Sequence, residues 1–521
     1  MNHLLLAASN HLQTRSARKG NNISSQIHLD ISATPIFSWV KSTTGKFLRH
    51  EPLLLYREAV LLFAAFLLIA AQLFAWPILG LADNGDFPRV SCALGISRIP
   101  LEYFNYFTSS YWYSPAFYSR PPLFQSEVLL VWLGRTLAHA NRPNAHFDIR
   151  YLGAVHTVIF LAGFYLLLRF LRQFAPWVQV TSALLYLWMF TDILYVAYFH
   201  SFYSDTIALL MLPLMVVSAL FAAKNEAGWI PLVVLLLTAL LLVTSKPQHT
   251  LLGVFPVFLL AALPLATRSL ARRVFGILGA IVLLSAMVWE VRSTTPDYDS
   301  FPLFNLIFLK IAPALPDQPG PAWNTLGLVP EDRPFVGRSA WERVVPMRDE
   351  HWRDEFLART GYRRVARFYL HHPSYPLSIM EFDLRFAAIR LRPGYLGNFR
   401  QEDRPVPRQL TKRCNSWSDL RTRLYRLYPG HAVIWYVLFM ASAVTLVLRS
   451  RTQFLKKAAL IALGVGLMGL MAFVFASLLC GDQTDRHLIL FHEITDVTLW
   501  LACTGAFAWA AHRRNVMGYS V

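Results

Sequence analysis

Two carboxylates three residues apart, Asp83 and Asp86, stand in the stretch LADNGDFPRV, with Arg89 three residues further on. If a helix persists through them, the three side chains share one face. A carboxylate so placed can take a proton from a sugar or lipid hydroxyl, and the neighbouring arginine can bind a phosphate leaving group. The same residues also make an ordinary capped helix end followed by an Asn-Gly turn, and the spacing alone does not separate the two readings. Three other short stretches carry chemistry-bearing residues. HSFYSDT offers His200, Tyr203, Ser204 and Asp205, of which Ser204 or Asp205 is first of all a helix N-cap. TSKPQHT presents Lys246, Gln248 and His249 around Pro247. The lysine suits a phosphate, and topology explains it nearly as well. CGDQTDRHLILFHEITDV holds Asp482, Asp485, His487, Glu493 and Asp496. His492 and Asp496 there have the i, i+4 spacing of a metal pair, with no third ligand identified.

The elements that position these residues are apolar helices. Of 521 residues, 55% are hydrophobic and 15% charged, and the mean hydropathy of +0.39 is too high for an ordinary soluble enzyme. Apolar runs near 59–81, 151–171, 178–199, 206–223, 229–244, 251–266, 274–290, 431–448, 458–479 and 488–511 predict an all-α, polytopic membrane bundle of about ten spans. The last span cannot begin after Asp496, because only 15 residues then precede His512. Glu493 and Asp496 therefore enter the outer part of the membrane, where ionisable groups face a cavity or a partner.

Sidedness follows from Lys and Arg. Arg169, Arg172, Lys224, Arg268, Arg272, Arg273, Arg449, Arg451, Lys456, Lys457, Arg513 and Arg514 fall in alternate connections, and the opposite short loops hold only Lys246 and Arg486. The positive-inside rule then places both termini in the cytoplasm of a plasma membrane, and puts the four polar stretches outside. The expected organisation is a cytoplasmic tail over 1–55, a transmembrane core over 56–290 with its first external loop at 82–149, a large external loop over 291–430, further spans over 431–511, and a tail over 512–521. The tail carries Arg15, Arg18, Lys19, Lys41, Lys46 and Arg49, and its short apolar run does not make a secretion signal.

Within the external loops, residues 101–124 are crowded with Tyr, Phe and Trp, which reads as an interfacial belt or as stacking surface for sugars. Residues 124–140 form an amphipathic stretch expected to lie on the membrane surface. Arg363, Arg364, Arg367, Arg385, Arg390 and Arg392 make the densest external basic region, suited to a phosphorylated lipid or an anionic glycan, or to a solvated surface helix. A net charge of +18 without a continuous basic helix or aromatic binding signature argues against nucleic acid. Walker A, GxGxxG, GxSxG, HExxH and CxxC patterns are absent. Cys92, Cys414 and Cys480 fall outside and Cys503 in the last span, which leaves one external disulfide open without a defined pairing.

The phrases DNGDFPR, YFHSFYSD, SKPQH and CGDQTDRHLILFHEITD resemble those of the GT-C superfamily of membrane glycosyltransferases, and in particular bacterial surface-glycan hexosyltransferases of the WsfD-like kind. The resemblance spans most of residues 55–511. It implies a polyprenyl-phosphate sugar as donor, a glycan or lipid acceptor at the outer face of a bacterial inner membrane, and inversion at the sugar. By position it makes Asp86, or else Asp83, the general base. Arg89, His200, Tyr203, Asp205, Lys246, Gln248, His249, Asp482, Asp485, His487, Glu493 and Asp496 would then bind substrate. No metal site is assigned and no cofactor is required, with a divalent cation left open. The commoner GT-C pair of adjacent acids is here interrupted by Asn84 and Gly85, so the choice of base stays open. A secondary transporter or flippase, and a glycan polymerase or ligase, are the rival classes.

Overall fold

The computed structural model describes residues 52–97, 103–113, 124–141, 146–224, 228–265, 269–294, 296–315, 320–404 and 406–516. The tail expected over 1–55 lies outside these residues up to Glu51, as does the end of the tail expected over 512–521. The chain divides into two compact units, Met1–Arg57 and Glu58–Val521. Apart from the opening residues of its first helix, the bundle belongs to the second.

Each of the ten apolar runs forms a helix. In chain order these are α1 Pro52–Leu73, α2 Arg150–Leu171, α3 Pro176–Phe190, α4 Asp205–Ala222, α5 Trp229–Val243, α6 Pro247–Leu265, α7 Leu270–Ser293, α8 His431–Arg449, α9 Gln453–Leu479 and α10 Thr484–Arg514. Eight of them, among the described residues, are long and apolar enough to cross a membrane, and α3 makes a ninth if it is joined to Ile193–His200 across a 52° bend. Against the expected number of about ten, eight or nine of the described helices meet that length; α5, with 15 residues, is a shorter apolar helix that reaches about 22 Å at the helical rise.

The first span also starts and stops earlier than its apolar run. It ends at Leu73 rather than at residue 81, although residues 74–81 are equally apolar. Pro77 has no N–H to donate, and the residue before a proline is pushed away from helical backbone angles. The chain from Phe74 to Asp86 is consequently irregular, and Asp83, Asp86 and Arg89 do not share a helix face as the spacing predicted.

The bend after α3 has its own cause. Asp192 caps the following short helix by accepting from Leu194 N at 2.9 Å and also accepts from Ser418 N at 2.9 Å, which anchors the large-loop helix Ser416–Leu427 to the bundle. The stretch expected at the membrane surface is a helix, Glu127–Asn141, whose Glu127 is fully buried with Oε1 2.9 Å from His156 Nε2 on α2. Part of the aromatic segment forms a strand, Ser110–Tyr113, pairing antiparallel with Ile96–Ser97 and Phe147–Asp148 in a small sheet, in registers Ile96↔Tyr113 and Ser110↔Asp148. The large loop builds a second apolar core around Phe304, Phe308, Trp323, Phe356 and Phe368. It is tied to the bundle by Lys310, whose Nζ donates to Asp383 Oδ2 at 2.8 Å and to Ser477 O on α9 at 3.1 Å. None of the four cysteines forms a disulfide.

A buried charge pair pins the large loop to the last span. Arg421 and Asp496 are 2% and 0% exposed and lie 2.8 Å apart, and Asp496 Oδ2 also accepts from Tyr195 Oη at 2.6 Å and Trp417 Nε1 at 2.8 Å. Removing one partner strands the other charge in an apolar interior, which costs about 3–5 kcal/mol. Asp496→Leu should therefore lower the unfolding midpoint of the detergent-solubilised protein sharply, and Asp496→Leu with Arg421→Met should recover much of the loss. Thermal unfolding of the two singles and the double checks this.

Candidate active site

The loop that carries Asp83 and Asp86 is held from two sides. Tyr203 Oη donates to Ala82 O at 2.9 Å and accepts from Asn84 N at 3.0 Å, so the buried tyrosine acts as a post beneath the loop. On the other side lies Asn398 of the large loop. Its carbonyl accepts from Gly80 N at 3.2 Å, its amide nitrogen donates to Gly80 O at 2.9 Å, and the neighbouring Gly397 O accepts from Ala82 N at 2.9 Å. A Cβ on Gly397 would run into the backbone carbonyl of Asn105, so only glycine lets the two segments approach this closely.

This support separates the two acids. Asp83 is 5% exposed, and its Oδ1 accepts from Gly85 N at 2.7 Å and Phe87 N at 3.2 Å, the work of a turn-forming aspartate. The glycine that follows has φ +102°, a region that side chains rarely adopt. The turn sends the half-exposed Asp86 towards open space, with Arg486 2.5 Å and Arg89 2.8 Å from its carboxylate oxygens. Burial works against the Asp86 charge, but Arg486, Arg89 and Lys246 outweigh it and hold the carboxyl well below the usual range.

Arg486 belongs to the first turns of α10 and is 4% exposed. It lies under the loop, 5.0 Å from the Tyr203 ring, so Tyr203 supports both the acid's loop and its counter-ion. Next to it Lys246 Nζ is 3.4 Å from Asp205 Oδ1 and 3.2 Å from His487 Nδ1. Burial lowers the lysine's proton affinity, with Asp205 opposing the shift. Gln248 Oε1 lies 2.9 Å from His487 Nδ1, and its Nε2 donates to His487 O at 3.3 Å. Asn84 Nδ2 reaches Gln483 Oε1 at 2.5 Å, which also accepts from Tyr395 Oη at 3.3 Å. Gln483 holds a left-handed φ of 53°, a local cost of about 1–2 kcal/mol that this network offsets.

These groups open onto one cavity of about 1690 Å³. Residues 84–89, 103–104, 246–251 and 479–487 contribute to its lining together with the large loop, so three of the polar stretches singled out in the sequence converge on it. The lining is mixed: Asp86, Arg89, Lys246, Lys310, Arg390 and Arg486 are charged, and Leu251, Phe475, Leu479, Ile379, Phe382 and Phe386 are apolar. Asp482, Asp485, Gln248 and His487 also line it, and burial raises the Asp482 carboxyl.

The remaining predicted residues lie elsewhere. Asp205 is buried behind Lys246, with His249 Nε2 3.7 Å from its Oδ1, and the expected cap at Ser204 makes no side-chain bond. His200 is fully buried, its Nδ1 2.7 Å from Leu79 O and its ring stacked on Phe107, so it props the segment leading to the acidic loop. Glu493 is 1% exposed among apolar neighbours of α2 and α4, and Asp496 is consumed by Arg421. His492 also faces Arg421, its Nδ1 3.4 Å from the guanidinium, a setting that opposes a metal ion there. Among the described residues no group of three or more His, Cys, Asp or Glu side chains is arranged to hold a metal. Around Asp86 the nearest charges are cations, so the residues present do not fit a divalent ion bound by that carboxylate.

The family model described as the YfdI N-terminal transmembrane domain matches residues 43–518. The chain belongs to that family. Every cavity segment falls inside the family's matched span. No curated protein matches the chain. A structural similarity is found with the archaeal oligosaccharyltransferase AglB from Archaeoglobus fulgidus, solved with an inhibitory peptide and a dolichol-phosphate. Identity is 12% and the TM-score 0.38, over 89% of this chain and 52% of that one. This chain therefore spans about half of that neighbour's length.

Gln483, Tyr395, Lys310, Asn398 and Gly481 were not singled out in the sequence; Lys310 stands out only as a charge among apolar neighbours, and Gln483 and Gly481 lie within the polar stretch CGDQTDRH without a signal of their own. Gly481 is the most exacting of them. A Cβ there would strike the backbone of Asn305 and Leu306 at the cavity wall, which cannot give way as a flexible side chain would. Gly481→Ala should cost about 1–3 kcal/mol as an overpacking change and loosen the wall that presents Lys310. Limited proteolysis should then cut the large loop faster than in the wild type.

Proposed function

We propose that this chain is a membrane glycosyltransferase of the GT-C kind. It moves a hexose from a polyprenyl-phosphate carrier to a glycan or lipid acceptor at the external face of a bacterial inner membrane, with both termini cytoplasmic. The observation that carries this reading is the shared cavity. Asp86 stands among buried and half-buried cations in a cavity whose lining also carries aliphatic and aromatic side chains. A lipid-linked phosphate needs that combination, since the chain seeks apolar surface and the phosphate seeks arginine or lysine.

In the transfer, the acceptor hydroxyl gives its proton to Asp86 as its oxygen attacks the anomeric carbon. The bond from that carbon to the phosphate oxygen breaks on the opposite side, and the phosphate leaves with the electron pair. Arg486, Arg89 and Lys246 are placed to hold the negative charge that grows on the phosphate. A carboxylate already gripped by two arginines is a poor base. Arrival of the donor phosphate gives those arginines a second anion to share, which weakens their hold on Asp86 and raises its proton affinity when a substrate is present. Asp83, bonded to two backbone amides, keeps the loop in shape in this scheme, and Asp205 orients Lys246.

The test is sugar transfer in liposomes supplied with a radiolabelled polyprenyl-phosphate hexose. Asp86→Asn should cut the rate by about 10²–10⁴-fold, the usual contribution of a general base, while donor binding survives. Asp83→Asn should mainly lower stability. Absence of transfer from every lipid-linked sugar tried, with unchanged glycans in a deletion strain, would remove the enzyme reading and favour transport. Full activity in Asp86→Asn would favour a polymerase or ligase that binds its carrier through arginine alone.

A further inference from the structure

A second cavity, of about 560 Å³, opens in the large loop beside the first. Four arginines line it: Arg390 and Arg392 after the helix Ser374–Ile389, Arg408 in the following loop, and Arg426 in the helix Ser416–Leu427. Among the described residues none of the four forms an ion pair. Other arginines of the same loop do: Arg338 with Glu342, Arg359 with Asp332, Arg385 with Glu381, and Arg400 with Asp403. The bonds the four do make are to neutral groups. Arg392 donates to Thr411 O at 2.7 Å, Arg408 to Asn105 Oδ1 at 3.3 Å, and Arg390 lies over the Phe386 ring at 5.0 Å. The one carboxylate in the lining, Asp419, is taken by Asn415 Nδ2 at 2.8 Å. Acids act on the arginines only at longer range, Asp485 on Arg390, and Asp192 and Asp419 on Arg392.

Arg390, Arg408 and Arg426 are exposed and Arg392 is half-buried, so like charges share one lining, and burial penalises the charge of Arg392 further. Such an arrangement is relieved by an anion that several forks can grip at once, for which phosphate oxygens have the right geometry. Ser418 and Thr422 supply hydroxyls in the same lining. Arg390, Arg408 and Tyr395 also line the first cavity, so the two cavities adjoin at these residues.

We propose that the second cavity binds a multiply charged phosphate, of the pyrophosphate kind, and that it holds the acceptor by such a group while the acceptor's hydroxyl reaches Asp86. The acceptor part rests on the transferase reading above. The anion site does not.

The probe is inorganic pyrophosphate, titrated calorimetrically into the full chain in nanodiscs of neutral lipid. Arg426 is exposed, so Arg426→Gln should leave the fold intact and weaken binding about tenfold, the worth of one charge-assisted hydrogen bond. Arg392→Gln with Arg426→Gln should abolish that binding. Lys246→Gln, which changes only the first cavity, should leave it in place. Unchanged binding in both arginine variants, or binding lost only with Lys246→Gln, overturns the proposal. If phosphatidylglycerol in the nanodisc competes the probe away at constant ionic strength, the occupant is a bilayer headgroup and the acceptor assignment falls. If transfer is detected, Arg426→Gln should raise the KM for acceptor and leave the KM for donor unchanged. Transfer that never appears, with pyrophosphate binding still lost in the arginine variants, would sink the transferase reading and keep the anion site.

Discussion

A guanidinium at 4% exposure is tolerable only beside a carboxylate, and Arg486 has Asp86. That pairing joins the first external loop to the start of the last long helix across 400 residues of chain, and much of the site follows from it. Tyr203 lies under both partners. Lys246 is brought close enough to add to the positive field, and Gln483, one turn before Arg486, bonds back to Asn84. The pairing also sets the charge state, because the arginine that fixes the acid in place helps hold its carboxyl well below the usual range.

The large loop completes this arrangement. Its own aromatic core makes a body distinct from the apolar bundle, and three polar ties fasten it: Arg421 to Asp496, Lys310 to Asp383 and Ser477, and the backbone bonds of Gly397 and Asn398 to the acidic loop. In each case a buried polar group is satisfied by a segment distant in sequence, as the cost of leaving it unpaired requires. Segments from all three ties line the cavity or lie beside it.

Several buried groups of the chain have structural work and were easy to mistake for reactive ones. Glu493 and Asp496 lie within the last apolar helix, where Asp496 closes an ion pair and Glu493 sits among aliphatic and aromatic side chains. His200 stacks on Phe107. A side chain's type and depth are the same whether it supports a loop or faces a substrate, and only its neighbours tell the two apart.

By itself the sequence determined the class of this protein. Long apolar runs have no stable home but the membrane, and helices are the way a chain satisfies its backbone there, so the helical bundle followed from hydropathy. The four polar stretches were legible as candidates because charge between spans is costly and sparse. Tertiary structure decided what they do. The end of α1 before Pro77 replaced a shared helix face with a turn, and that turn, visible only in hydrogen bonds, separated Asp83 from Asp86. Which arginines are free was undecidable from spacing, since Arg385 and Arg390 look alike in the chain, while one is paired with Glu381 and the other lines two cavities. Pairing depends on distances between residues far apart along the chain, and composition and periodicity carry no record of them.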